Sequence, residues 1–134
     1  MDAKIIDGKL VSASIREKIK EKTKAIKDKH SRVPGLAAVL VGEDPASQIY
    51  VRNKRKSCED VGIYSEEHKL PASTTQDELL ELINKLNNDK KINGILVQLP
   101  LPKHIDASSI LNSFSYEQDV DGVHSLNTGY LFEV

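Results

Sequence analysis

Tyr50 and Lys54 lie four residues apart, a spacing that puts two side chains on one face of a helix. An aromatic ring beside an amine can stack on a flat heterocycle and exchange a proton with it. Arg55 and Lys56 continue the basic run, so on pattern alone a solvated helix surface is the plainer reading. Gln98 closes the apolar run Ile95-Leu96-Val97 directly before Leu99-Pro100-Leu101-Pro102. Its amide oxygen can accept from an ammonium and its NH2 can donate to a ligand, or it marks where a strand reaches the surface. Asp119-Val120-Asp121-Gly122 sets two carboxylates on one side of an extended segment before a turn glycine. A carboxylate there could accept paired N–H donors from an amino-pyrimidine-like ring, although an ordinary acidic turn has the same pattern. The segment is too short for a calcium loop. His30, His68, His104 and His124 show no ligand-like spacing, and no metal is expected. Cys58 follows Lys54 by one turn and reads as a small packed side chain.

These residues need a scaffold. Gly8 to His30 carries Val11, Ile15, Ile19 and Ile26 at near-helical spacing among Lys and Glu, which predicts an amphipathic helix with one buried stripe. Pro34-Gly35 breaks it, and Leu36 to Val41 is a short apolar run suited to a strand buried on both faces. Gly42-Glu43-Asp44-Pro45 then opens a helix, with Asp44 as cap and Pro45 at the first position, running through Cys58 to a stop at Gly62. Ile63-Tyr64 starts another strand. Thr75-Gln76-Asp77-Glu78 has the form of a capping box, followed by the stripe Leu79, Leu82, Ile83 and Leu86. Asn93-Gly94 is expected to break that helix, and Ile95 to Leu99 to form a further buried strand. The alternation predicts an α/β fold, a three-layer αβα domain with a largely parallel sheet and right-handed crossovers. Ligands of such folds bind outside the carboxyl ends of the strands, where Gly42 to Pro45 and Gln98 to Pro102 fall.

Composition narrows the function. The chain has 39% hydrophobic and 29% charged residues, with 19 basic against 20 acidic side chains and a net charge of -1. That fits one compact domain with no general pull toward nucleic acid, and at 4% aromatics with no tryptophan base stacking is not expected either. The basic residues are concentrated early, with none after Lys103. One cysteine excludes an internal disulfide. No stretch approaches a membrane span or a signal-peptide core, and a cytoplasmic location is expected. Neither a Gly-x-Gly-x-x-Gly nor a Walker-type loop is present, so the chain shows no dinucleotide or triphosphate cradle of its own.

Taken together, the segments resemble the bifunctional methylenetetrahydrofolate dehydrogenase/cyclohydrolase family. The resemblance rests on Glu43-Asp44-Pro45-Ala46-Ser47-Gln48-Ile49-Tyr50-Val51-Arg52-Asn53-Lys54 and its continuation to Gly62-Ile63. Gly94 to Pro102, Asp119 to Gly122 and Lys4 to Lys9 follow the same family pattern. It implies an enzyme of one-carbon metabolism and purine biosynthesis that oxidises 5,10-methylenetetrahydrofolate with NADP, then hydrolyses the methenyl product to 10-formyltetrahydrofolate. By resemblance Lys54 is the general acid/base, Gln98 holds and tunes it, and Asp121 anchors the pterin. Tyr50 stacks on the folate, and Ser47, Val51, Val97, Leu99 and Pro100 line the pocket. Residues 1–122 are expected to form the tetrahydrofolate-binding catalytic domain, and 123–134 to begin the passage to a Rossmann-like NADP domain outside this chain. The family's enzymes are homodimers. Tyr116 and Gln118 stand where family members usually carry proline and lysine, so the loop bearing Asp121 is expected to differ. Three readings stay open: the catalytic domain of a bifunctional enzyme, a stand-alone cyclohydrolase, and a non-catalytic folate- or protein-binding remnant.

Overall fold

A computed structural model describes residues 5–133, so Lys4 of the N-terminal motif lies outside the described residues. The chain runs α1 (Gly8–His30), β1 (Gly35–Val41), α2 (Pro45–Val61), β2 (Tyr64–Leu70), α3 (Gln76–Asn88), β3 (Gly94–Val97), α4 (Ala107–Leu111) and α5 (Ser125–Tyr130). The three strands form one parallel sheet in the order β2-β1-β3. Ala37, Val39 and Val41 of β1 face α3 and bury Leu79, Ile83 and Leu86, while Ala38 and Leu40 face α2 and bury Val51 with Leu96. Helices therefore cover both faces, giving the expected three layers. The chain moves from β1 to β2 under one helix layer and back across to β3 under the other. Opposite directions on opposite faces give both crossovers the same hand, the right-handed one for such units.

Local chemistry accounts for the element ends. The carboxylate of Asp7 accepts from the backbone of Lys9 and Leu10 at the start of α1. Thr75 and Glu78 form the reciprocal capping box of α3, and Gly62, at φ 78, takes the left-handed conformation that closes α2. Two boundaries differ from expectation. α3 stops at Asn88, with Asp89 as C-cap, because the chain turns at once through Ile92 N–H to Asp89 C=O; Asn93-Gly94 lies beyond the helix. β3 ends at Val97, so Gln98 follows the strand rather than closing it.

The larger correction concerns α1. Its predicted buried stripe is mostly open: Val11, Ile15 and Ile26 are 49%, 51% and 36% exposed, and Ile19 is half-buried. Thr23 is the buried residue of the helix, with Cγ2 against Gly62. α1 thus meets the body where α2 ends, and its first half reaches past that contact.

Candidate active site

The chain leaves β1 toward β2 on one side, and after β3 it continues to the Asp119 segment on the other, so the connections from these two neighbouring strands part at their carboxyl ends. A crevice at such a switch point is the usual ligand position of an open α/β sheet. One wall comes from the turn after β1 and the start of α2, the other from the loop after β3.

The α2 wall is set by a tight turn. Gly42, at φ 90, donates its N–H to Leu70 C=O at 2.9 Å. Asp44 accepts the Ser47 backbone N–H at 2.7 Å. Hydrogen bonding from Ser47 holds the Asp44 carboxyl below its ordinary range. Capped in this way, α2 presents Ser47 and Lys54 toward the β3 side.

Across the crevice, Gln98 donates its backbone N–H to Val39 C=O at 2.9 Å, which extends the β3 register by one residue. Its amide oxygen lies 3.3 Å from Lys54 Nζ, and its amide nitrogen donates to Leu99 C=O at 2.9 Å. Ser47, 2% exposed, donates its hydroxyl to the same carbonyl at 3.4 Å. The Leu99–Pro100 peptide is cis. Residues 44 apart in sequence are thereby joined in one network, with the half-buried Lys54 amine held on one side by an uncharged acceptor. A neutral partner orients the amine through a hydrogen bond and sets no opposite charge beside it.

The remaining expected residues separate into two groups. The Tyr50 ring is 58% exposed on the same helix as Lys54, and Leu99 (41%) and Pro100 are also exposed. Val51 and Val97 are fully or almost fully buried. Val51 packs with Ala38, Leu40 and Leu96 beneath α2, and Val97 packs in the core against α3, so their side chains support the site from below. The open surface here contrasts with a cavity of about 650 Å³ at the C-terminal ends of α1 and α2, lined by Lys24, Arg32, Gly62 and Tyr64. That cavity does not include Lys54, and its position opposite the strand ends that carry the polar network argues against it as the reaction site.

The two acids of the Asp119–Gly122 segment take different roles, against the expectation that they share a side. Asp119 pairs in parallel with Ile95, whose N–H donates to Gln118 C=O at 2.8 Å, so the segment joins the sheet beside β3. The half-buried Asp119 carboxylate accepts from Gly122 N–H (3.0 Å), His124 N–H (2.9 Å) and Asn127 Nδ2 (2.8 Å). Burial alone would push its carboxyl up. The hydrogen bonds it accepts, from Asn127 and His124 foremost, outweigh that and hold it below the ordinary range. Asp121 is exposed, and no hydrogen bond joins it to Lys54 or Gln98 among the described residues. Gln118 donates its side-chain amide to Ile92 C=O at 2.9 Å, and Asn127 donates to Tyr116 C=O at 2.8 Å. The two atypical positions therefore help to secure this segment. Asp119, His124 and Asn127 were not legible as a group. Only the Asp-x-x-Gly spacing, an Asx-type turn signal, hints at them.

No three His, Cys, Asp or Glu side chains converge as a metal site among the described residues. Nor does the turn after β1 fit a dinucleotide: Gly42-Glu43-Asp44-Pro45 fills the α2 N-terminus with a capping carboxylate, which opposes a pyrophosphate.

Residues 6–121 match the family model for the catalytic domain of tetrahydrofolate dehydrogenase/cyclohydrolase. The chain is 56% identical over 131 residues to the bifunctional protein FolD of Moorella thermoacetica, covering 98% of this chain and 46% of that one. It superimposes on the crystal structure of the bifunctional FolD enzyme of Campylobacter jejuni with a TM-score of 0.91 at 52% identity, over 93% of this chain and 44% of that one. The Trypanosoma brucei FolD enzyme, solved with NADP cofactor and inhibitor, gives 0.92 at 35% identity over 98% of this chain and 44% of that one. The chain therefore spans about half the length of the relatives it matches. Such agreement over nearly every described residue leaves one assignment: the chain belongs to the tetrahydrofolate dehydrogenase/cyclohydrolase family and corresponds to its catalytic domain.

Proposed function

We propose that this chain binds a one-carbon tetrahydrofolate at the β1/β3 crevice and supplies the proton chemistry of methenyltetrahydrofolate hydrolysis, in a polypeptide that also carries the methylenetetrahydrofolate dehydrogenase step. The observation that carries the reading is the Lys54 Nζ to Gln98 Oε1 contact of 3.3 Å at the topological switch point. Hydrolysis adds water to the methenyl carbon and opens the five-membered ring. Lys54 takes the proton from the attacking water and returns one to the departing ring nitrogen. A positioned acid/base of this kind contributes about 10²–10⁴-fold. Gln98 fixes the amine, Ser47 steadies the Leu99 carbonyl behind it, Tyr50 offers its ring as a stacking face, and Asp121 receives the paired N–H donors of the pterin.

The dehydrogenase step uses NADP, and its site is assigned to a second, Rossmann-like domain beyond residues 1–122. Tyr50 from the α2 wall, Leu99 from the β3 wall and Asp121 are all exposed; in this reading that domain closes over them, and water exclusion follows from closure. Cytoplasmic location, a homodimeric assembly and supply of 10-formyltetrahydrofolate to purine biosynthesis belong to the same reading.

The test is a paired assay on the purified chain, with methenyltetrahydrofolate hydrolysis in one arm and equilibrium binding of the same folate in the other. Lys54→Ala is expected to abolish hydrolysis while binding stays measurable; undiminished turnover in that variant refutes the assignment. Binding without hydrolysis in the unsubstituted chain selects the non-catalytic reading.

A further inference from the structure

We infer that Asp119 is a positioning residue for Asp121, acting by folding the turn on which Asp121 sits. The inference rests on the folate-anchoring reading of Asp121 given above. Three N–H donors from residues three, five and eight positions downstream converge on the Asp119 carboxylate. With the Ile95–Asp119 pairing they fix both ends of the bend. Gly122, at φ 69, lets the chain reverse there. Asn127 bonds to Asp119 and to Tyr116 C=O, while the His124 ring accepts from Leu126 N–H at 3.1 Å and Ser125 N–H donates to Asn112 at 3.1 Å. Gly122, His124, Ser125 and Asn127 on the far side of the bend are thus each tied to a residue before it. Asp121, between them, is exposed. Its direction is set by its neighbours' bonds, and Asp119 is the acceptor they share.

A carboxylate is suited to this task because it accepts on both oxygens. In Asp119→Asn one oxygen becomes an NH2 donor facing other donors, at almost unchanged volume. The experiment is a double-mutant cycle on the full chain, read as equilibrium binding of 5,10-methenyltetrahydrofolate, with Asp119→Asn and Asp121→Ala alone and together. Asp119→Asn is expected to weaken binding about ten-fold, and by less than about two-fold when Asp121 is already alanine. A purely structural role predicts the same loss in both backgrounds, and that result overturns the inference; so does unchanged binding in Asp119→Asn when Asp121→Ala is impaired. Unchanged binding in Asp121→Ala removes the role of Asp121 itself, and this inference with it. Should Asp119→Asn fail to fold, Asn127→Ala removes one donor and leaves the carboxylate in place. The same dependence on Asp121, at smaller amplitude, is expected there, and equal losses in both backgrounds overturn the inference.

Discussion

Gly94 links the sheet to the bend that carries Asp121. A side-chain carbon added at Gly94 would sit closer to Val120 Cγ1 than carbon atoms tolerate, with Leu36 Cδ1 at 3.5 Å and Val120 Cβ at 3.8 Å around it. Leu36 closes off retreat into the sheet, so in Gly94→Ala the Val120 side of the contact must yield. Comfortable carbon contacts begin near 3.5 Å, which calls for a displacement of about 1 Å. Valine is stiff about χ1, so part of that displacement passes to its backbone and to Asp121 beside it. The stability cost is that of mild overpacking, about 1–3 kcal/mol. The functional cost is larger in proportion, because a shift of about 1 Å in a binding group can lower reactivity by about 10²-fold. The assay is methenyltetrahydrofolate binding and hydrolysis alongside thermal unfolding. Gly94→Ala should lose at least about ten-fold in folate binding with a modest fall in Tm. Adding Val120→Ala, which removes the obstructing methyl, should restore most of it. Full binding by the single variant, or no recovery in the double, would show that the site does not depend on this contact.

Gly35→Ala should be worse for folding, because its added carbon meets the Lys91 carbonyl, a backbone atom. It also endangers the Gly35 N–H to Asn93 and Asn93 N–H to Gly35 bonds at 3.0 and 2.8 Å. A loss of about 3 kcal/mol or more, read as a Tm fall of about 10 °C, is expected, whereas Gly129→Ala, with open space around it, should stay within about 1 kcal/mol of the parent. Burial pushes the Cys58 thiol up, a Ser65 hydrogen bond opposes this, and Glu59 adds to it. The thiol should therefore react with an aromatic disulfide reagent about 100-fold faster in urea than in the folded chain; equal rates would place it at the surface. Asp119 has a folded pKa below its unfolded value, so its stabilisation is complete above the ordinary carboxylate range and is lost as pH falls through the depressed value. Urea unfolding at stepped pH should show the gap between parent and Asp119→Asn narrowing below about pH 4, and a constant gap would contradict the sign.

Periodicity and breakers were enough to read the sheet and its helices, since each strand between Gly35 and Val97 is bounded by turn chemistry that acts locally. The capping box at Thr75 and the Asp44-Pro45 start of α2 are of this kind. Pairing across the sequence was not legible in that way. Nothing local says that Gln98 meets Lys54 rather than solvent, and its place follows only from β3 lying beside β1. The stripe on α1 shows the complementary limit. A 3.6-residue period identifies an apolar face but not its cover, and the packing of Thr23 on Gly62 leaves Val11 and Ile15 open.

The sharpest divergence lies within four residues. Alternation along an extended strand puts Asp119 and Asp121 on one side, and that rule holds only while the backbone stays extended. Here the pairing with β3 ends at Asp119, and the chain bends through Val120 to Gly122. The first carboxylate is spent on folding the bend and the second is left exposed. Two acids of one motif acquire opposite duties because a glycine three residues downstream lets an aspartate accept from the backbone that follows it. The same arithmetic tells which acid a ligand can use. A carboxylate already receiving three N–H groups has little left to offer, so of the two acids it is the exposed Asp121 that keeps its oxygens open to a ligand.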